Sequence, residues 1–180
     1  DYRAPRPAPA EPHPIPEGIA GVLGMIRSTR NPRHRALCAL TGLMGLRVSE
    51  AVAIRPDDFD LDEMTLRVRG KGDKTRHVPI SGAAWESIEK ARKLAIDNGT
   101  TLVDRTERGA RAAITRHAKN AGLSRHVSSH DMRATLATAA YESTHDLRAV
   151  QELLGHADAK TTQVYTGVSM AAKRAAVEVA

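Results

Sequence analysis

FDLDEMTLRVRGKGDKTRHVPI, residues 59–80, is the stretch on which the architecture turns. Residues 59–61, 65–69 and 75–80 alternate apolar and polar side chains or are β-branched. Asp62-Glu63 and Lys71-Gly72-Asp73 supply turn residues between them, so the reading is a small antiparallel sheet of about three strands. Outward from it, in both directions, the period becomes helical. Upstream, Ile19, Val22, Leu23 and Ile26 form one face of a helix over residues 17–27. Asn31 caps a second helix, with Pro32 at its first position, that carries Ala36, Leu37, Leu40, Leu43 and Met44 and stops near Gly45. A short helix over 48–54 is ended by Pro56-Asp57-Asp58. Downstream, Ser81 caps a helix to about Asp97, Thr106 one that closes near Gly122, Ser128 a third, and Asp146 a fourth that ends at Gly155. Asp131, three residues after Ser128, makes that cap box-like. Short helices around Tyr165 and over 169–179 complete the chain. The expected class is mainly α with a small antiparallel three-stranded β-sheet inserted.

The 180 residues suit one domain with a full core, and no apolar run approaches the length of a membrane span. With 27 basic against 21 acidic residues the formal net charge is +6, and the basic residues are mostly Arg, whose planar fork suits phosphate. Aromatics are 3% of the chain, too few for base stacking on single strands, which favours duplex binding through phosphates. Cys38 is the only cysteine, so no intrachain disulfide forms, and it reads as a buried small hydrophobe. No Cys/His zinc spacing is present. Six of the nine prolines fall between Pro5 and Pro16, and residues 1–16 read as an extended interdomain linker. The chain opens on Asp1 rather than Met, and it reads as a fragment with something attached before that linker.

Within this frame lies an ordered polar set: Gly45-Leu46-Arg47-Val48-Ser49-Glu50, Gly70-Lys71-Gly72-Asp73-Lys74, His130-Asp131-Met132-Arg133, Leu154-Gly155-His156 and Tyr165. Taken singly each has a plain reading: a surface arginine, a structural histidine, a hairpin-tip lysine, a half-buried tyrosine. Together they make a kit for breaking a phosphodiester without a metal. His130 and Arg133, three apart, are neighbours on a helix and face a cleft, while Met132, Leu136 and Ala139 face the core. Cleavage needs a nucleophile, positive charge on the nonbridging oxygens and an acid for the leaving oxygen. Arg47 and Arg133 supply bidentate cations, Glu50 braces Arg47, and His156 donates a hydrogen bond. Tyr165 can attack and hold the phosphate covalently. A free tyrosine has a pKa of about 10, so only about one in a thousand is ionised at neutral pH, and His130 is the candidate base. Lys71, at a turn tip, can reach a leaving 5′ oxygen. There is no acidic cluster to hold a metal.

On these motifs residues 17–180 resemble the catalytic domain of the tyrosine recombinases, the group of phage integrases and Xer-type recombinases. The resemblance implies that fold, no cofactor, and these roles: Arg47, Arg133 and His156 bind the scissile phosphate, Lys71 is the general acid, His130 assists proton transfer, and Tyr165 becomes linked to the 3′ phosphate. It also implies double-stranded DNA attachment sites as partners, a homotetramer on DNA from a free monomer, an accessory DNA-bending protein, and a cytoplasmic, nucleoid-associated setting in a bacterial cell. Met132 stands where the family usually has Leu. The family's helical core-binding domain, which precedes this one, has no counterpart in these residues, so weak DNA affinity is expected from this stretch alone. Arg69, Lys74, Arg76, Arg111, Arg116 and Lys119 are candidate contacts to backbone phosphates. A tail helix over 169–180, with Met170, Ala171, Val177 and Val179 apolar, is expected to pack on a neighbouring protomer on DNA and to fold back or stay mobile in the free monomer. A type IB topoisomerase is the nearest rival, and a non-catalytic DNA-binding descendant of an integrase is a second. A metal-dependent nuclease finds little support.

Overall fold

Asn31 starts the central helix. Its side-chain oxygen accepts the Arg33 and His34 N–H groups at 2.9 and 3.3 Å, and Pro32 needs no partner at the first position. The computed structural model describes residues 13–70, 72, 74–155 and 170–179. In chain order it has α1 (Gly18–Ser28), α2 (Pro32–Gly42), α3 (Val48–Ala53), one 3₁₀ turn (Pro56–Asp58), β1 (Phe59–Asp60), β2 (Thr65–Arg69), β3 (Thr75–Pro79), α4 (Gly82–Asn98), α5 (Glu107–Asn120), α6 (Ser129–Thr144), α7 (Leu147–Leu154) and α8 (Met170–Val177). The predicted mainly α class with one three-stranded antiparallel sheet is what the chain adopts.

Residues 36–42 of α2 are buried on every side, so this stretch has no solvent face and shows no helical stripe. Around it pack α1, α4, α5 and α6. Ser81, Thr106, Ser128 and Asp146 each accept an N–H from the first turn of the following helix, as their positions predicted. The fourth expected helix ends at Gly155, with φ +63°. A helix around Tyr165 was also expected, but it lies outside the described residues. No helix among the described residues is long and apolar enough to cross a membrane.

The sheet is a meander, β1-β2-β3. Leu66 pairs with Val78 and Val68 with Arg76. Side chains paired across antiparallel strands share a face. Leu66, Val68 and Val78 are buried in the core, so Arg76 is carried inward with them.

One segment departs from expectation. Residues 13–16, read as linker, are seated on the domain. Ile15 is 2% exposed and its N–H donates to Thr135 Oγ1 at 2.8 Å. The His13 N–H donates to Asp131 Oδ1 at 3.0 Å, while Arg125 donates to the carbonyls of His13 and Pro14 at 2.6 and 3.1 Å. The tail helix α8 packs on α6, α7 and β3 of its own chain, with Ala176 and Val177 buried and Arg174 donating to the Glu63 carbonyl at 2.6 Å.

Between α2 and α5 lies a histidine pair. His117 Nε2 is 3.0 Å from His34 Nδ1, the rings meet edge to face, and His34 is buried. Burial, then the charges of His117, Arg105 and Arg116, push the His34 pKa down to about 4. Burial and Arg116 also lower that of His117. The unfolded chain binds protons at these positions below its ordinary histidine pKa near 6.5; in the folded chain His34 resists protonation until about 4, and His117 is shifted in the same direction. Stability therefore falls as the pH drops through that window. Thermal melts should show a loss of about 1 kcal/mol, or about 3 °C, between pH 7 and pH 5 beyond that of a His34→Leu variant. Equal pH slopes for the two proteins would refute this assignment.

Candidate active site

The turn from α2 into α3 needs Gly45, which has φ +70° and whose absent Cβ would lie 2.5 Å from Leu154 Cδ2. This close approach brings the Gly45 carbonyl and the C-terminal end of α7 to either side of one side chain. Arg133, on α6, donates from Nη1 to the Gly45 carbonyl at 2.5 Å and from Nη2 to the Leu154 carbonyl at 2.6 Å. The carbonyls at a helix C-terminus lack partners within the helix, so this guanidinium also closes α7. Arg133 is 7% exposed. Burial, then the charges of Arg47 and Arg76, lower its pKa to about 10, so it stays cationic at neutral pH.

Arg47 is the N-cap of α3, and its side chain is 42% exposed. Glu50 answers it from one turn on: Oε2 accepts the Arg47 N–H at 2.8 Å and Oε1 lies 3.3 Å from Arg47 Nη1. The expected brace is therefore present, but Glu50 has a second and closer partner. Arg76 reaches it from β3 through two hydrogen bonds, 2.8 Å to Oε1 and 2.9 Å to Oε2. Burial alone would raise the Glu50 pKa; the Arg76 hydrogen bond and charge, with the Arg47 N–H and charge, outweigh it and leave the carboxyl below its ordinary range. Two guanidiniums thus share one carboxylate, and the Arg133 guanidinium lies near enough to feel the charges of all three groups. The excess positive charge suits an anion with several oxygens, such as a phosphodiester.

Arg76 was read as a phosphate contact, and here its geometry differs. Its side chain is 11% exposed, and its Nε donates to the Leu153 carbonyl at 3.2 Å. The signal was in the sequence: Arg76 is two residues from Val78 on a strand, so the two point to one face. His130 and Arg133 also part company. Arg133 sinks to the carbonyls while His130 is exposed. Lys71, His156 and Tyr165 lie outside the described residues.

Asp131 has a role that the cap reading only partly captured. It accepts the Ser128 N–H and Oγ–H, both at 2.7 Å, and the His13 N–H, and it lies 3.4 Å from Arg125. Burial would raise its pKa; these partners prevail and lower it. The residue between His130 and Met132 therefore ties the start of α6 to the incoming chain.

Residues 22–172 match the family model described as the phage integrase family. The chain belongs to that family. It is 35% identical over 181 residues to the tyrosine recombinase XerC of Alcanivorax borkumensis, covering 92% of this chain and 59% of that protein. It is 42% identical over 142 residues to XerC of Pseudomonas aeruginosa, covering 74% and 47%. Among solved structures, the XerA recombinase aligns with a TM-score of 0.74 at 28% identity, covering 92% of this chain and 60% of that one. The chain spans about half to three-fifths of the length of these relatives.

In this family member the remaining candidate DNA contacts lie on the outside. Arg69, Lys74, Arg111, Arg116 and Lys119 are all exposed. Arg69 is 4.0 Å from Asp58, and Arg111 pairs with Glu107 at 2.7 Å. No group of three or more His, Cys, Asp or Glu side chains able to hold a metal occurs among the described residues.

Proposed function

We propose that this chain is the catalytic portion of a site-specific DNA recombinase that cleaves and rejoins duplex DNA through a 3′-phosphotyrosine intermediate. The observation that carries the reading is the Arg133 fork. One buried cation holds the carbonyl two residues before Arg47 and the carbonyl two residues before His156. Three separate parts of the predicted kit therefore meet at one place, in a chain of the phage integrase family.

In the proposed reaction Arg47, Arg133 and His156 hold the nonbridging oxygens as charge builds on them. The Tyr165 oxygen attacks phosphorus as its proton passes to His130. The bond to the 5′ oxygen breaks, and Lys71 protonates the departing oxygen. A 5′ hydroxyl from another duplex then attacks the phosphotyrosine, releasing Tyr165. Bond energy is kept in the protein linkage, so no ATP is consumed. The proposed partners are double-stranded attachment sites, a homotetramer on DNA and an accessory bending protein, in the bacterial cytoplasm at the nucleoid. One similar structure is described as XerH bound to its difH substrate, which supports a duplex partner. The Xer-type relatives favour recombination over topoisomerase-like relaxation or non-catalytic binding.

The test is covalent trapping on a nicked attachment duplex, with the full-length protein and no added metal, run on a denaturing gel. The native protein should give a slow protein–DNA band, and Tyr165→Phe should remove it while binding on a native gel persists. A band that survives Tyr165→Phe would exclude the tyrosine mechanism.

A further inference from the structure

We infer that Arg76 is a positioning residue: it ties the β2–β3 hairpin to the Arg47 turn and to the end of α7, and so sets the three catalytic segments against one another. The inference rests on the recombinase reading above for its catalytic consequence, but its geometry stands alone. Arg76 leaves β3 on the inner face of the hairpin whose tip carries Lys71. Its two terminal nitrogens bind both oxygens of Glu50, the carboxylate that also holds the Arg47 N–H and guanidinium. Its Nε binds the Leu153 carbonyl, one residue before the carbonyl held by Arg133. Gly155, which leads into His156, lies against the same guanidinium. A Cβ there would fall 2.9 Å from Arg76 Nη1 and 3.1 Å from its Cζ.

The alternative role for a basic residue on this hairpin is a direct phosphate contact, and the chemistry separates the two. A fork whose charge is met at both terminal nitrogens by a carboxylate, with Nε on a carbonyl, is committed inward, whereas Arg133 meets only neutral carbonyls and keeps its charge for an anion. Lysine cannot replace it, because one ammonium cannot grip both Glu50 oxygens in a planar fork and reach the Leu153 carbonyl as well. Losing the brace leaves the charges present but misplaced, and a small misplacement of reacting groups is costly in rate.

The experiment compares the full-length protein with R76Q, R76K and the double variant E50Q/R76Q. The double variant avoids a buried carboxylate without a cation. Filter binding across a salt series gives duplex affinity. Single-turnover cleavage of a nicked duplex gives rate and amplitude, and hydrogen exchange reports on residues 47–51 and 152–155. Positioning predicts affinity within about twofold and an unchanged salt slope, since a lost phosphate contact would reduce that slope by about 0.9. It predicts cleavage slower by about 30- to 100-fold in R76Q and the double variant, with R76K intermediate. Both exchange segments should loosen. A purely structural role would lower the amplitude and leave the rate of the surviving fraction unchanged, which overturns the proposal. So would a smaller salt slope, or a wild-type rate in R76Q. If the native protein yields no covalent product at all, the recombinase reading fails; loosened exchange in the variants would still uphold the brace, and unchanged exchange would sink it.

Discussion

Replacing Arg133 with alanine is expected to lower cleavage of a nicked duplex by about 100- to 1000-fold, the scale seen when one preorganised charge-stabilising donor is removed. It is also expected to destabilise the fold by about 3 kcal/mol, because carbonyls that a buried fork had paired are left without a donor. These effects share one cause. Arg133 bridges the Gly45 and Leu154 carbonyls, so its removal takes the cation proposed to bind the phosphate and releases the segments leading to Arg47 and His156 together. Arg133→Lys keeps the charge and separates the contributions. A single ammonium cannot span both carbonyls with Arg geometry, so most of the rate loss should remain. Urea unfolding and single-turnover trapping on the same samples provide the check. A stable Arg133→Ala protein that cleaves at the native rate would show that the fork is incidental.

Glu50→Ala carries the second large effect, expected at about 3–5 kcal/mol of stability, the cost of stranding one member of a buried ion pair. Glu50 has a side chain only 5% exposed and is the carboxylate shared by Arg47 and Arg76. Without it, guanidiniums that it had neutralised repel one another close to Arg133, whose pKa Arg47 and Arg76 already depress. Glu50→Gln keeps the shape and some hydrogen bonds, and its loss should be smaller. Because the folded-state pKa of Glu50 is lowered, its contribution is present above the ordinary carboxylate range and fades as the pH falls through the folded value. The native and Glu50→Ala proteins should therefore converge in stability at low pH. A constant difference from neutral pH down to acid would show that the ion pair is not its source.

Much of the site was legible before any contact was known. Arg47 and Glu50 are three apart across a helix start, and that spacing alone predicts their pairing. His130 and Arg133 were read by the same rule as joint cleft residues, but the rule describes neighbours along a helix and not what packs over them. The Gly45 turn and the end of α7 cover Arg133 while His130 stays exposed. Arg76 shows the limit from the other side. Its alternation with Val78 was visible, yet a positive charge in a basic hairpin suggested an outward phosphate contact. The seat of residues 13–16 had no local signal either, since Asp131 and Thr135 are more than a hundred residues away.

The order of helices and strands, the caps that start them and the ordered polar set that suggests phosphodiester chemistry were properties of the sequence itself. Each depends on interactions within a few residues or on which side-chain types stand in which order. Which cations face outward and which are buried against a carboxylate or a carbonyl was decided only by the tertiary structure. Gly45 and Leu154 are far apart in the chain, and the Arg133 fork meets both only after α6 and α7 have packed against the turn that precedes α3. Desolvation and pairing are properties of the space between elements, and that space exists only when the elements are assembled.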